Sequence, residues 1–295
     1  MYDILNRWEK ILEIKNETEK INKYKEIKNK LKKMLNTRAW DGQWYQRAIM
    51  DDGNIIGSSQ CKEGKIDSIA QSWSIISEAG DNEKKYIALE SAKKYLIDEE
   101  NKIIKLLTPP FKEDKLDPGY IKRYPAGVRE NGGQYTHSSI WLIMAFAKMG
   151  YLTEAVKYLE MINPITHTEN IEKVQKYKIE PYVIAGDVYT NKYMTGRGGW
   201  SWYTGSSSWY YKVCLENILG LKKKGKKLYL PENIPENWEN YEIQYRYETN
   251  LYNIKVGRKT DRQKGREIFC NGIKVEKNYI ELKNDNKIEN LEIKL

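Results

Sequence analysis

The segment Arg129-Glu130-Asn131-Gly132-Gly133-Gln134-Tyr135-Thr136-His137 packs a guanidinium, a carboxylate, amides, a hydroxyl and an imidazole into one short loop. An apolar helical period follows it, so His137 falls in the first turn of a helix that includes Trp141. Free backbone N–H groups and the helix end favour an anion there. A capping arrangement around a satisfied core histidine is the equal alternative. A second stretch, Gly196-Arg197-Gly198-Gly199-Trp200-Ser201-Trp202-Tyr203-Thr204-Gly205, has different chemistry. Its glycines let a phosphate or sugar approach the main chain. Trp200, Trp202 and Tyr203 offer flat faces suited to the apolar side of a pyranose ring. Thr204 can cap the next helix, and Gly205 leaves an amide accessible. A tight turn with core-packed aromatics accounts for the residues as well. A nucleotide P-loop is excluded, since no Lys-Ser/Thr pair follows the glycines at the required spacing.

Two weaker constellations accompany these. One is Asp41 to Arg47 with Trp40 and Trp44; the other is Tyr177-Lys178-Ile179-Glu180-Pro181-Tyr182. For Asp67, Lys178 and Glu180 a buried, charge-paired structural role stands beside direct ligand contact. Pro181 fits the first turn of a helix. His167, in a polar stretch, reads as a surface residue.

Mostly helices must position these groups. Apolar spacings of three and four predict helices over residues 1–36, with a turn in 15–20. Further helices are expected from Ser68, which would cap one, and over 83–95, 138–149, 152–161, 180–193 and 204–219. Asp51-Asp52-Gly53 marks a short hairpin, and 108–119 is a proline-rich loop. After Leu221 the pattern alternates as strands do, with Asn271-Gly272 as a hairpin turn. The expected domains are 1–221, helical with irregular site loops, and 222–295, a small antiparallel β element.

Composition narrows the function. The 23 Tyr and 9 Trp against 3 Phe suit a wetted cleft that stacks on a ligand, or reflect genomic bias. The net charge of +9 comes from interspersed signs, which argues against nucleic acid. The runs Lys28 to Lys33 and Lys222 to Lys227 read as solvated, the latter in a linker. Cys61, Cys214 and Cys270 make neither a zinc spacing nor a disulfide framework. No signal peptide or membrane span is visible, so the expected location is the cytoplasm.

Several motifs together resemble glycoside hydrolase family 94, a family of disaccharide phosphorylases. They are Trp40 to Arg47, Ile66 to Trp73, Leu107 to Phe111, Pro118 to Lys122, Arg129 to His137, Ile162 to Ile165, Glu180 to Val183 and Gly196 to Gly205. The likeness leans to the branch with the phosphorylase-like domain of cyclic beta-1,2-glucan synthase and the 1,2-beta-oligoglucan phosphorylases. It implies the second half of an (alpha/alpha)6 barrel, then a small β element. It also implies inverting phosphorolysis of a beta-linked glucan, beta-1,2 expected, to alpha-glucose 1-phosphate. No cofactor is implied, only inorganic phosphate as co-substrate. His137, Thr204 and Gly205 match phosphate-binding positions, and Glu130 matches a sugar-binding one. Gln134 is expected to hydrogen-bond sugar or phosphate, with Trp200 and Trp202 as pocket walls. Asp41, Arg47, Asp67, Lys178 and Glu180 are expected in supporting roles. The family's general-acid motif, Gly-Asp-Trp-Asn-Asp-Gly, occurs nowhere in this sequence. The expectation is a chain inactive alone that needs a companion chain, or a homodimer. The alternative is a non-catalytic carbohydrate-binding remnant, or a fragment of a cyclic beta-1,2-glucan synthase.

Overall fold

The amphipathic period of the first residues folds as two helices, α1 (Tyr2–Ile14) and α2 (Thr18–Thr37), in a computed structural model that describes residues 1–113, 116–259 and 265–295. α1 buries Leu5 and Leu12. Between the two helices Lys28 Nζ meets Glu9 Oε2 at 2.7 Å, with both side chains largely shielded. The neighbouring row of α1, Ile4, Trp8 and Ile11, stays exposed. The remaining helices are α3 (Ser68–Ile76), α4 (Asn82–Leu96), α5 (Thr136–Lys148), α6 (Leu152–Met161), α7 (Ile171–Tyr177) and α8 (Ser206–Val213). A π-helical turn, Cys214–Ile218, continues α8. None of the described helices is long and apolar enough to cross a membrane. The expected loop over 108–119 contains residues 114 and 115, which lie outside the described set.

Two compact units emerge: Met1–Met149 with Tyr158–Trp209, and Gly150–Lys157 with Tyr210–Leu295. The first unit is mainly helical, with short two-stranded pieces between helices. The Asp51-Asp52-Gly53 turn joins Ala48–Ile49 to Ile55–Ile56 in an antiparallel hairpin. The cap of α3 is Asp67, not Ser68. Its Oδ1 accepts Ile69 N–H at 2.8 Å and Ala70 N–H at 3.4 Å, while Oδ2 faces Arg47 Nε at 3.6 Å. Gln71, fully buried on α3, exchanges two 2.9 Å hydrogen bonds with the backbone of Tyr45. The Tyr45 hydroxyl donates to Asn36 Oδ1 at 2.8 Å, which ties α2 to this centre.

Close packing has a sharp local test at Gly64. Its φ is +57°, and a Cβ there would lie 2.3 Å from Phe111 Cζ, in a ring that is 1% exposed. Gly64→Ala combines left-handed strain with overpacking and should cost about 2–4 kcal/mol in urea unfolding. Gly53→Ala, with φ +84° and no atom within 4 Å, should lose only about 1 kcal/mol.

Two expected helical assignments change. Residues 180–193 are turns around a short strand, Asp187–Val188, because Ala185 and Val188 pack on Ile103 and Tyr177. The polar stretch before them holds α7 instead, capped by Asn170, whose Oδ1 accepts Lys173 N–H at 3.0 Å. His167 is a correction as well. It is 8% exposed and stacks on Tyr177, ring centroids 4.8 Å apart and 10° from parallel.

In the second unit the alternating residues form a five-stranded sheet, ordered Asn240–Tyr247, Asn250–Gly257, Ile288–Lys294, Glu267–Cys270, Ile273–Lys274. Tyr252, Ile254, Val256, Leu291 and Ile293 point into its core. The sheet is not antiparallel throughout, since Asn250–Gly257 and Ile288–Lys294 run parallel. Lys222 to Lys227 is not a linker. It forms a hairpin, Lys222–Lys224 with Lys227–Tyr229, because Leu221 and Leu228 are drawn into the core.

Candidate functional site

Backbone pairing in the first unit brings the two chemically rich loops together. Gln134–Tyr135 pairs antiparallel with Asp187–Val188, and Val188 bridges Gly198 on its other side. Gly186 sits between the loops: its carbonyl accepts Thr136 N–H at 3.0 Å, and its N–H donates to Trp200 O at 2.5 Å. A segment in the middle thus aligns the loop that ends at His137 with the one that ends at Gly205. The result is direct approach. A Cβ built on Gly205 would lie 3.5 Å from His137 Cε1, ordinary contact distance.

An aromatic wall surrounds the imidazole. Trp141 and Trp209 lie 4.6 and 6.1 Å from His137 by ring centroid, and Trp73 packs edge-on against Trp141. Burial lowers the His137 pKa below its usual value, so the ring is neutral at physiological pH. A neutral imidazole offers one N–H donor without giving a proton to an anion. Buried polar atoms with no hydrogen-bonding partner gather here: Arg129 Nε, Glu130 Oε2, His137 Nε2, Trp141 Nε1 and Asp187 Oδ2. Such groups cost free energy until something satisfies them. Arg129 carries the local positive charge. Burial opposes it, but Tyr124, Asp187, Glu130 and Tyr135 outweigh burial and raise its pKa. Its guanidinium lies over Tyr124 and Trp200, and Nε stands 3.6 Å from Glu130 Oε2.

The other expected site residues divide sharply. Thr204 Oγ1 accepts Ser206 N–H at 3.2 Å as α8 begins. Trp200 and Trp202 are 50% and 65% exposed, so their faces are open. Gln134 turns inward. It is 1% exposed, and its Oε1 accepts Ile104 N–H at 3.0 Å, which leaves it little to offer a sugar. Glu180 accepts the Trp202 indole N–H at 3.0 Å, fixing that loop from outside. Lys178 is exposed and acts through its backbone, in left-handed conformation at the end of α7, rather than as a buried charge. Asp41 shapes a turn, with Oδ1 accepting Gln43 and Trp44 N–H and Oδ2 accepting Ser59 N–H. Arg47 and Asp67 form the pair at α3 described above. Among the described residues no His, Cys, Asp and Glu cluster could hold a metal ion.

Sequence reasoning missed Asp187, Trp141 and Trp209 as members of this site. Asp187 was hidden in an expected helix. Trp141 and Trp209 stand at four-residue spacings from His137 and Gly205, a signal that placed them on the same helix faces.

Residues 1–220 match the catalytic-domain model of the Glycosyl hydrolase 94 superfamily. The chain belongs to that family. Within it, the cyclic beta-(1,2)-glucan synthase NdvB of Rhizobium meliloti is 42% identical over 248 residues, which are 84% of this chain and 9% of that protein. The N,N'-diacetylchitobiose phosphorylase of Vibrio furnissii is 28% identical over 257 residues, 85% of this chain and 31% of its own length. A cellobionic acid phosphorylase of Neurospora crassa is 27% identical over 256 residues, 86% and 32% respectively. The chain thus spans a third or less of these relatives. A solved family GH92 alpha-mannosidase from Bacteroides thetaiotaomicron covers 77% of this chain and 33% of its own at 13% identity. Its TM-score of 0.22 is too low to support a fold argument. Membership in family 94 establishes a carbohydrate-active enzyme lineage of the phosphorylase and glycosyl-transferring type.

Proposed function

We propose that this chain forms the phosphate-holding part of an inverting phosphorylase acting on a beta-linked glucan, with beta-1,2 linkages as substrate. The observation that carries the reading is the approach of the His137 imidazole to Gly205 beside Thr204. An imidazole N–H, a hydroxyl and a glycine amide make a donor cradle for an oxyanion. Phosphate held there attacks the anomeric carbon. A C1–O–P bond forms, the glycosidic C1–O bond breaks on the opposite face, and the leaving oxygen takes a proton from a general acid. The products are alpha-glucose 1-phosphate and a glucan one unit shorter. Neutral His137 suits this chemistry, because a charged imidazolium would share its proton with the nucleophile and weaken it. Glu130, half-buried and with one oxygen that accepts no hydrogen bond, is the group for sugar hydroxyls, and Trp200 and Trp202 flank the sugar path.

In this reading the first unit is the later half of an (alpha/alpha)6 barrel. The proton donor, and cover for Ile4, Trp8 and Ile11 on α1, come from sequence outside these residues or from a companion chain. A second reading draws on the exposure of Trp200, Trp202 and Tyr203: a surface that binds glucan without chemistry.

Titration with inorganic phosphate, followed by amide resonances, tests the proposal. Thr204 and Gly205 should shift on saturation. His137→Ala and Thr204→Val should each weaken binding by about tenfold or more, the loss of a hydrogen bond to a charged group. Equal phosphate affinity in both variants and the parent would sink it. Glucan binding with no phosphate response would favour the second reading.

A further inference from the structure

The two loops that form the site come from distant stretches of sequence, and one side chain reaches both. Asp187 is 1% exposed and lies in the strand paired with Tyr135. Its main-chain carbonyl accepts Gly199 N–H at 2.9 Å, and its Oδ1 accepts Trp200 N–H at 3.0 Å. The carboxylate therefore grips the second loop just ahead of Thr204 and Gly205. The charge of Arg129 acts on this carboxylate from farther off, its Nε lying nearer Glu130 Oε2, at 3.6 Å. Gly199 is part of the same design. A Cβ there would sit 2.6 Å from both Asp187 oxygens, so the carboxylate occupies the space a side chain would need.

We infer that Asp187 is the positioning residue that locks the Gly196–Gly205 loop onto the Arg129–His137 loop, by anchoring the Trp200 N–H from a strand that pairs with Gln134–Tyr135. This rests on the phosphate-site reading above for its functional consequence, though not for the tether itself. Without the anchor, the 200–205 backbone loses its reference to His137, and the donor cradle opens. Asp187 itself touches no reacting atom. It acts through Trp200.

Three variants and two readouts test this. The first readout is amide exchange and the proton–nitrogen resonance of Trp200, which report the tether directly. The second is phosphate titration read at Thr204 and Gly205. In Asp187→Ala the Trp200 amide should exchange about tenfold faster or more, and phosphate binding should weaken about tenfold. Gly199→Ala should reproduce both changes with Asp187 still present, because the new methyl displaces the carboxylate. Asp187→Asn keeps an oxygen acceptor and should restore Trp200 protection and most of the phosphate affinity. The parent Trp200 resonance should also move with pH as the buried carboxyl titrates, and in Asp187→Asn that movement should vanish. A packing role alone would not produce the pH response. Unchanged Trp200 exchange in folded Asp187→Ala overturns the inference. Should that variant fail to fold, the same pH response in the parent and in Asp187→Asn overturns it. Absence of phosphate binding by the parent chain defeats the phosphate reading instead, while Trp200 still reports on the tether.

Discussion

Incubated alone with beta-1,2-glucan and phosphate, residues 1–295 should release no glucose 1-phosphate above background. Supplementing them with a polypeptide that carries the Gly-Asp-Trp-Asn-Asp-Gly segment should raise the rate by about 10²–10⁴-fold, the usual contribution of a positioned general acid. The reasoning is electrostatic. Phosphate arrives with its own nucleophilic charge, so no second carboxylate is needed to activate it, unlike water in an inverting hydrolase. The leaving sugar oxygen is the difficult partner, since it must depart as a hydroxyl rather than an alkoxide. Asp187 cannot take that part: it is buried, and one oxygen is bound to Trp200 N–H. Glu130 is engaged by Arg129, whose Nε stands 3.6 Å from its Oε2. Robust release of glucose 1-phosphate by these residues alone would overturn the assignment of the acid to other sequence. In the supplemented system His137→Ala should cut the rate at subsaturating phosphate by about tenfold, because the nucleophile is held more weakly.

The second large effect is on stability. Burial, then the charges of Lys102, Lys173 and Lys176, push the His167 pKa down from 6.5 to about 4. The unfolded chain takes up a proton as pH falls through the ordinary histidine range, and the folded chain does not until about 4. Stability is therefore full above 6.5 and is lost progressively as pH falls towards 4. The depression corresponds to about 3 kcal/mol across that window. His167→Phe keeps a flat ring against Tyr177 and cannot titrate. Urea unfolding of parent and variant at neutral pH and near pH 4 should show a difference that shifts by about 3 kcal/mol in favour of the variant at the acid end. A difference independent of pH would contradict the buried, neutral state of His167.

Much of the local structure was legible in the sequence. The spacing of Leu5, Leu12, Ile27 and Leu31 announces the first helical pair, and Asp51-Asp52-Gly53 announces its hairpin, because each signal is read within a few residues. The failures share one cause. His167 is buried by Tyr177, and Asp187 and Gly186 are held in strand conformation by Tyr135, Thr136 and Trp200. Those partners are distant in sequence, and no local period reports them. Gln134 looked free for a ligand because its real partner, the Ile104 N–H, belongs to another element. Strand direction was illegible for a different reason. Alternation is the same whether a neighbour runs parallel or antiparallel, so Asn250–Gly257 gave no hint of its parallel partner. Within the candidate site, residue types pointed to the two loops, while the segment that joins them was recognised only from its backbone pairing.

The strand Ile288–Lys294 lies in the middle of its sheet, yet it follows all four of its companions in sequence. A ribosome therefore delivers two separate ribbons first, each with a bare row of backbone donors and acceptors. Until the central strand emerges, those rows are open to pairing with neighbouring nascent chains. Stalled or shortened translation products ending before Ile288 should thus be prime clients for chaperones and prone to deposit as inclusion bodies, whereas the longer product seals itself.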